Sequence, residues 1–139
     1  MTHPAERMML EISGTEALWL LEDAHTGRLV YIQRNQAMIR PACHLLEHGQ
    51  LIVRAPVQPL IVHSRTALTY HCENIQHPAG TGWTLTTHGP GDPITDPYEE
   101  AHYRRTLPGW AHGPHDTLLR LTPQSITGFR LARPAEEAR

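Results

Sequence analysis

The stretch Ile39–Pro56, "IRPACHLLEHGQLIVRAP", decides how the rest of this chain is read. Two runs rich in Ile, Leu and Val flank His48-Gly49, a dipeptide suited to a tight turn, so the segment is a predicted β-hairpin. Plain alternation of apolar and polar residues would suffice for that, yet the first strand carries Arg40, Pro41, Cys43 and His44. Successive side chains of a strand point to opposite faces. Arg40, Ala42 and His44 therefore share one face, and Pro41, Cys43 and Leu45 the other. Proline has no N–H for a ladder and belongs at an edge or a bulge, where backbone groups are free for a ligand. The hairpin is then either purely structural or the wall of a ligand site.

Working outward, "SGTEALWLLEDAHTG" (13–27) reads as a short helix. Ser13 caps it, Glu16 closes a capping box, Leu18, Trp19 and Leu21 supply the apolar face, and Gly27 is the expected stop. "RLVYIQ" (28–33) is a strand followed by a turn at "RNQ". "ALTYHCE" (67–73) and "GWTLTTHG" (82–89) are two more, and "PVQPLIVHS" (56–64) is ambiguous because its prolines suit neither ladder nor helix. "GTGW" and "GPGDP" are turn signals. "DPYEEAHYRRTL" (96–107) carries a strong helix signature, with Asp96 as cap, Pro97 in the first helical position and Glu99 completing a D-x-x-E box. "TLLRLTP" and "SITGFRL" complete six or seven strands, and a frayed tail is expected from about residue 132. The expected fold is mainly β (α+β), with one short helix near the amino end and one before the last strands.

Length and composition bound the function. A chain of 139 residues fits one domain and buries roughly two-thirds of its unfolded surface. With 40% apolar residues and a single Phe, the core must be largely aliphatic, which suits a small barrel. A net charge of −2 without a basic stripe gives no reason to expect nucleic acid. No apolar run is long enough to span a membrane and no signal-peptide block is visible, so a cytoplasmic protein is expected. The chain has no lysine: all 12 of its cationic Lys/Arg positions are Arg. Lysine-anchored pyridoxal phosphate and a P-loop are thereby excluded. A phosphate would have to be held by Arg, hydroxyls or backbone N–H groups.

The ordered set "GRLVYIQ", "RPACH", "IVRA", "GWTLTTHG", "DPYEEAHYRRTL", "HDTLLRL" and "TGFRL" resembles the pyridoxamine 5′-phosphate oxidase-like split β-barrels, from Met8 to Leu131. The resemblance implies a homodimer of six-stranded Greek-key barrels with flavin mononucleotide (FMN) in an interface groove, acting as an oxidoreductase on a small molecule. It also implies the site. Arg40 and Arg54 would anchor phosphate, Pro41, Ala42 and Cys43 would supply backbone contacts, Ala55 would sit at the phosphate end, and Trp83 would wall the ring. Two arginines on paired strands could converge on one anion. Cys43 stands where the family commonly has Asn, Ala55 lacks a hydroxyl and Leu60 lacks a charge. Those departures favour an alternative: a non-catalytic barrel holding deazaflavin, haem or a hydrophobic ligand.

Other chemistries have less support. The pairs Cys43-His44 and His71-Cys72 could suggest zinc, but strand neighbours point to opposite faces, so no metal site is expected. Eleven histidines, His112 and His115 among them, keep a haem ligand open without a local signature. One of them could serve as acid or base beside a cofactor ring, with nothing to say which.

Overall fold

In a computed structural model, which describes residues 7–62 and 65–133, the elements run in this order: β1 (Met8–Glu11), α1 (Gly14–Asp23), β2 (Thr26–Gln33), β3 (Gln36–Glu47), β4 (Gln50–Ala55), a 3₁₀ turn (Pro59–Ile61), β5 (Thr66–Gln76), β6 (Thr81–Pro93), α2 (Pro97–Thr106), β7 (Thr117–Leu121) and β8 (Ser125–Ala132). Every strand pairing is antiparallel. The order β6-β5-β2-β3-β4-β7 closes through the β6–β7 pairing into a six-stranded barrel, with β8 and then β1 appended to β6.

Two turns set the register of the hairpins. Arg34 and Asn35 both have positive φ (53° and 61°), as do His48 and Gly49 (53° and 76°). Two such residues in succession match the right-handed twist of the strands they join. Closure depends on β6 changing partner. Its first part, Gly82–His88, pairs with β8, and Gly91–Pro93 pair with β7. Between them, Gly89 lies so close to Thr122 that a Cβ there would run into the Thr122 carbonyl oxygen. The "GPGDP" segment is thus the end of a long strand and not a turn, because barrel closure supplies ladder partners that the local sequence does not announce.

α1 is capped as expected, Ser13 Oγ accepting from the Glu16 amide at 3.2 Å. Its buried residues are Ala17 and Leu21, while Leu18 and Trp19 are exposed. The helix ends at Ala24, and Gly27 belongs to β2. That glycine answers a packing demand instead: a Cβ on it would come within 2.6 Å of the Tyr70 hydroxyl. β1 carries too few residues to be visible in the sequence, and Ala132, assigned to the tail, is buried in β8 opposite Met8. Residues 134–139 of the tail and residues 63 and 64 of the ambiguous segment lie outside the described residues.

The barrel interior is filled by Leu29, Ala42, Leu51, Val53, Tyr70, Leu85, Leu119 and others. A second cluster lies outside the barrel, where Tyr103 and Leu107 cover Cys43, Ile52 and Leu118. α2 is therefore docked on the outer face of β3, β4 and β7. The opposite outer face, around β2 and the first half of β3, leaves Ile32 and Ile39 exposed.

Candidate functional site

The β3–β4 register places the candidate residues. Arg40 lies opposite Leu29, a core residue, and so shares the inward face of the barrel wall near its mouth. Arg54 lies opposite Cys43, which belongs to the cluster under α2, and so points outward. The two guanidinium groups are on opposite faces of the wall and do not converge. The expectation that they would fails because it treated paired strands as if any two of their side chains could meet; only those of the same face do.

Arg54 is fully engaged. Its Nε and Nη2 donate to the two carboxylate oxygens of Asp116 at 3.0 and 2.9 Å, and Nη1 donates to the Leu107 and Arg104 carbonyls at 2.7 and 3.3 Å. A helix leaves its last carbonyls without intrahelical partners, and a cation there is favourable. Arg54 thus ties the carboxyl end of α2 to the barrel. Asp116 also accepts from Arg104 Nη1 at 2.8 Å. Hydrogen bonds from Arg54 and the charge of Arg104 hold its carboxyl below the usual range, against the opposing effect of burial.

Arg40 has no ion pair among the described residues; its Nη1 donates to the carbonyl of the adjacent Ile39 at 2.9 Å. It lines a cavity of about 260 Å³ with Tyr31, Gln33, Gln58, His112 and His115. Tyr31 is buried, and its hydroxyl has no hydrogen-bond partner among the described residues. His112 and His115 exchange backbone hydrogen bonds of 3.1 and 3.0 Å across a Gly-Pro turn, and Gln58 reaches His115 Nε2 at 3.2 Å. One guanidinium, one phenol, two amides and two imidazoles face a single depression. Such a set suits a small anion, for which Arg supplies fixed donors and the others supply adjustable ones.

A second depression, of about 250 Å³, flanks the neighbouring Pro41 and is lined by Gly27, Arg28, His71, Glu73 and Trp110. Along Gln36–Ala42, β3 pairs only with β2, because the β4 ladder begins at Cys43. The two depressions therefore adjoin consecutive residues of one unpaired strand edge, and the loop after α2 gives Trp110 to one and His112 and His115 to the other. The edge position expected for Pro41 is observed.

The other candidates lie apart. Ala42 and Ala55 fill the barrel interior, and Cys43 is buried under α2, its thiol pushed up by burial despite the nearby Arg54. Trp83 packs partly on the core and lines a separate depression of about 300 Å³ at the end of α1, with Asp23, His25 and Asn74. Gln58 and Trp110 carried no motif in the sequence, and Tyr31, within "GRLVYIQ", carried no sign of a site role. The signal available for the histidines was the spacing in "HGPH" (112–115), two imidazoles returned to one side by a Gly-Pro turn.

The family model for pyridoxamine 5′-phosphate oxidase matches residues 13–130. The chain belongs to that family. An uncharacterised protein of Mycobacterium tuberculosis, Rv0080, is 30% identical over 132 residues, covering 90% of this chain and 87% of its own. Among solved structures, an FAD-binding protein from Mesorhizobium loti matches with a TM-score of 0.72 at 11% identity, over 92% of this chain and all (100%) of the other. The FAD-binding protein of Mycobacterium smegmatis matches with a TM-score of 0.65 at 22% identity, over 91% and 98% of the two chains. At those identities the likeness is one of fold, and it agrees with the closed six-stranded barrel. Among the described residues, no helix is long and apolar enough to cross a membrane.

Proposed function

We propose that this family member binds a flavin nucleotide, FMN in the first instance, and uses it as an oxidoreductase on a small molecule. The observation that carries the reading is Arg40: a guanidinium without an ion pair among the described residues, in a cavity with the free Tyr31 hydroxyl, Gln58 and two histidines. An anionic phosphate fits that set. The fold relatives named as FAD-binding proteins support a flavin over other phosphate compounds. The grip differs from the one the resemblance implied, with Arg40 as its single arginine, since Arg54 is committed to Asp116 and α2. When bound, the flavin supplies the redox chemistry; the chain holds and orients it.

We also propose that the working unit is a homodimer. Ile32 is 70% and Ile39 54% exposed on the outer face of the β2–β3 hairpin, Ile39 on the same strand face as Pro41. A second copy covering that face would remove both from water and close the groove.

The test is titration of purified protein with FMN, followed by the visible spectrum and by calorimetry. Micromolar binding is expected, weakened about 10- to 100-fold in Arg40→Ala, the loss of roughly 1.5–3 kcal/mol from charged hydrogen bonds. Failure to take up FMN or FAD would sink the reading. A second reading, a non-catalytic barrel holding deazaflavin, haem or a hydrophobic ligand, is favoured by the engagement of Arg54 and the burial of Ala55. A Soret band after haem addition, with no flavin uptake, is its signature.

A further inference from the structure

α1 packs on the barrel through two buried side chains, Ala17 and Leu21, which join the core. Its two ends are held differently. Near the amino end, the Ile12 N–H donates to the Gly128 carbonyl at 2.9 Å, and Glu16 pairs with Arg130. The last turn has no basic residue to meet its free carbonyls. His44 takes that part. Its Nε2 donates to the Leu21 carbonyl at 2.9 Å, and its backbone N–H donates at 3.0 Å to the carbonyl of His25, just beyond the helix. Nδ1 accepts from the Tyr70 hydroxyl at 2.5 Å. His44 is 1% exposed.

We propose that His44 is a latch: while neutral it fastens the carboxyl end of α1 to the barrel, and that end comes free when the ring takes a proton. A neutral imidazole has one N–H and one acceptor, which the Leu21 carbonyl and the Tyr70 hydroxyl match. An imidazolium has two N–H groups. Nδ1 would then face a hydroxyl whose hydrogen already points at it, and a charge would sit in the core without water. Water reaches the ring when the last turn of α1 lifts. The lifting residues, Leu20 and 23–25, also line the depression of about 300 Å³ that holds Glu73, Asn74 and Trp83, so the same opening reshapes it.

Among the described residues, no carboxylate bonds to the ring. On β3, Cys43 faces outward, its thiol pushed up by burial. β4 sets Val53 opposite His44, and Arg54 points outward to Asp116. β5 contributes Tyr70 and Cys72; burial raises both, Cys72 to about 12, so neither is an anion. Thr26 and Gly27, at the start of β2, carry no charge. Glu22 and Asp23 of α1 and His25 beyond it are exposed. Burial is the first cause that lowers the proton affinity of His44; the Leu21 hydrogen bond raises it, and His25 lowers it further.

The test is native-state hydrogen exchange of the full chain, read at the last turn of α1, at Ala24 and at the His44 amide, with Val53 and Leu119 of the barrel strands for comparison. The α1 amides should be less protected than the strand amides by about tenfold or more. They should also be nearly insensitive to low urea, as a local opening exposes little surface. Corrected for the intrinsic rate, their protection should fall about tenfold from pH 7.5 to pH 5.5, the ratio for an imidazole that titrates near 6.5 only when open. That fall should vanish in His44→Gln and persist in His25→Gln. Equal protection and equal urea dependence at α1 and the strands would overturn the latch, since only global unfolding would then expose the ring. A fall that survives His44→Gln, or is lost in His25→Gln, would overturn it too. Should His44→Gln not fold, the wild-type urea series and His25→Gln still decide.

Discussion

His44 illustrates how one buried side chain couples packing to pH. Its Nε2 lies 2.9 Å from the Leu21 carbonyl, which can only accept, so Nε2 carries the hydrogen. Nδ1 then accepts from the Tyr70 hydroxyl at 2.5 Å. Burial is the main cause that lowers the proton affinity of His44, outweighing the Leu21 hydrogen bond. The unfolded chain therefore binds a proton that the folded chain refuses. Stability is complete above the unfolded value of about 6.5 and falls as pH drops below it, towards the lower folded value. Urea melts at pH 8 and pH 5.5 should show that loss, and His44→Gln, which cannot titrate, should shrink it. An unchanged pH dependence in His44→Gln would show that other groups dominate. His44 was grouped by alternation with Arg40 and Ala42, and that face was correct. Its role was not legible, because Tyr70 and the end of α1 are distant in sequence and meet it only inside the barrel.

At the scale of elements, α2 depends on Arg54. The helix signature at Asp96–Pro97 was plain in the sequence, and Asp96 does accept from the Glu99 amide at 2.9 Å. What the helix docks on was not. Tyr103 and Leu107 pack over Cys43 and Ile52, and Arg54 holds the last carbonyls. Arg54→Met should cost roughly 2–4 kcal/mol, since Asp116 and those carbonyls lose charged partners in a half-buried place. Denaturant unfolding measures that cost. Under native conditions FMN affinity should change less than threefold, separating a tie for the helix from a phosphate anchor. The Asp116 carboxyl, held low by Arg54, contributes stability present above the unfolded value and lost as pH falls through the folded one. In Arg54→Met that acid sensitivity should diminish, which an acid titration followed by circular dichroism would register.

For the whole molecule, the question is what covers the β2–β3 face. Two large apolar side chains there, Ile32 and Ile39, are exposed as diagonal neighbours across the β2–β3 ladder. Single exposed apolar residues are ordinary, but two as neighbours on one sheet face are what the proposed homodimer would cover. Light scattering of the wild type should give twice the chain mass. Ile39→Asp, which sets a charge in that seam, should give a monomer that keeps its far-ultraviolet spectrum. A wild-type monomer at micromolar concentration would remove the homodimer from the proposal. Flavin affinity should fall in Ile39→Asp along with the loss of the dimer if the groove is completed by the second copy.

The sequence by itself determined the elements: capped helices at Ser13 and Asp96, strands by alternation, tight turns at Arg34-Asn35 and His48-Gly49, and a family-specific order of motifs. These are local properties, set by hydrogen bonds and side-chain periods within a few residues. It also determined, through the absence of lysine, that a phosphate must be met by arginine, hydroxyl or backbone N–H groups. Only the tertiary structure decided which arginine is available. Barrel closure turned Arg40 towards the mouth and Arg54 under α2, because adjacent strands share faces by register, and register is settled by long-range pairing. The same closure brought Tyr31, Gln58, Trp110 and the two loop histidines to the β3 edge from segments far apart along the chain.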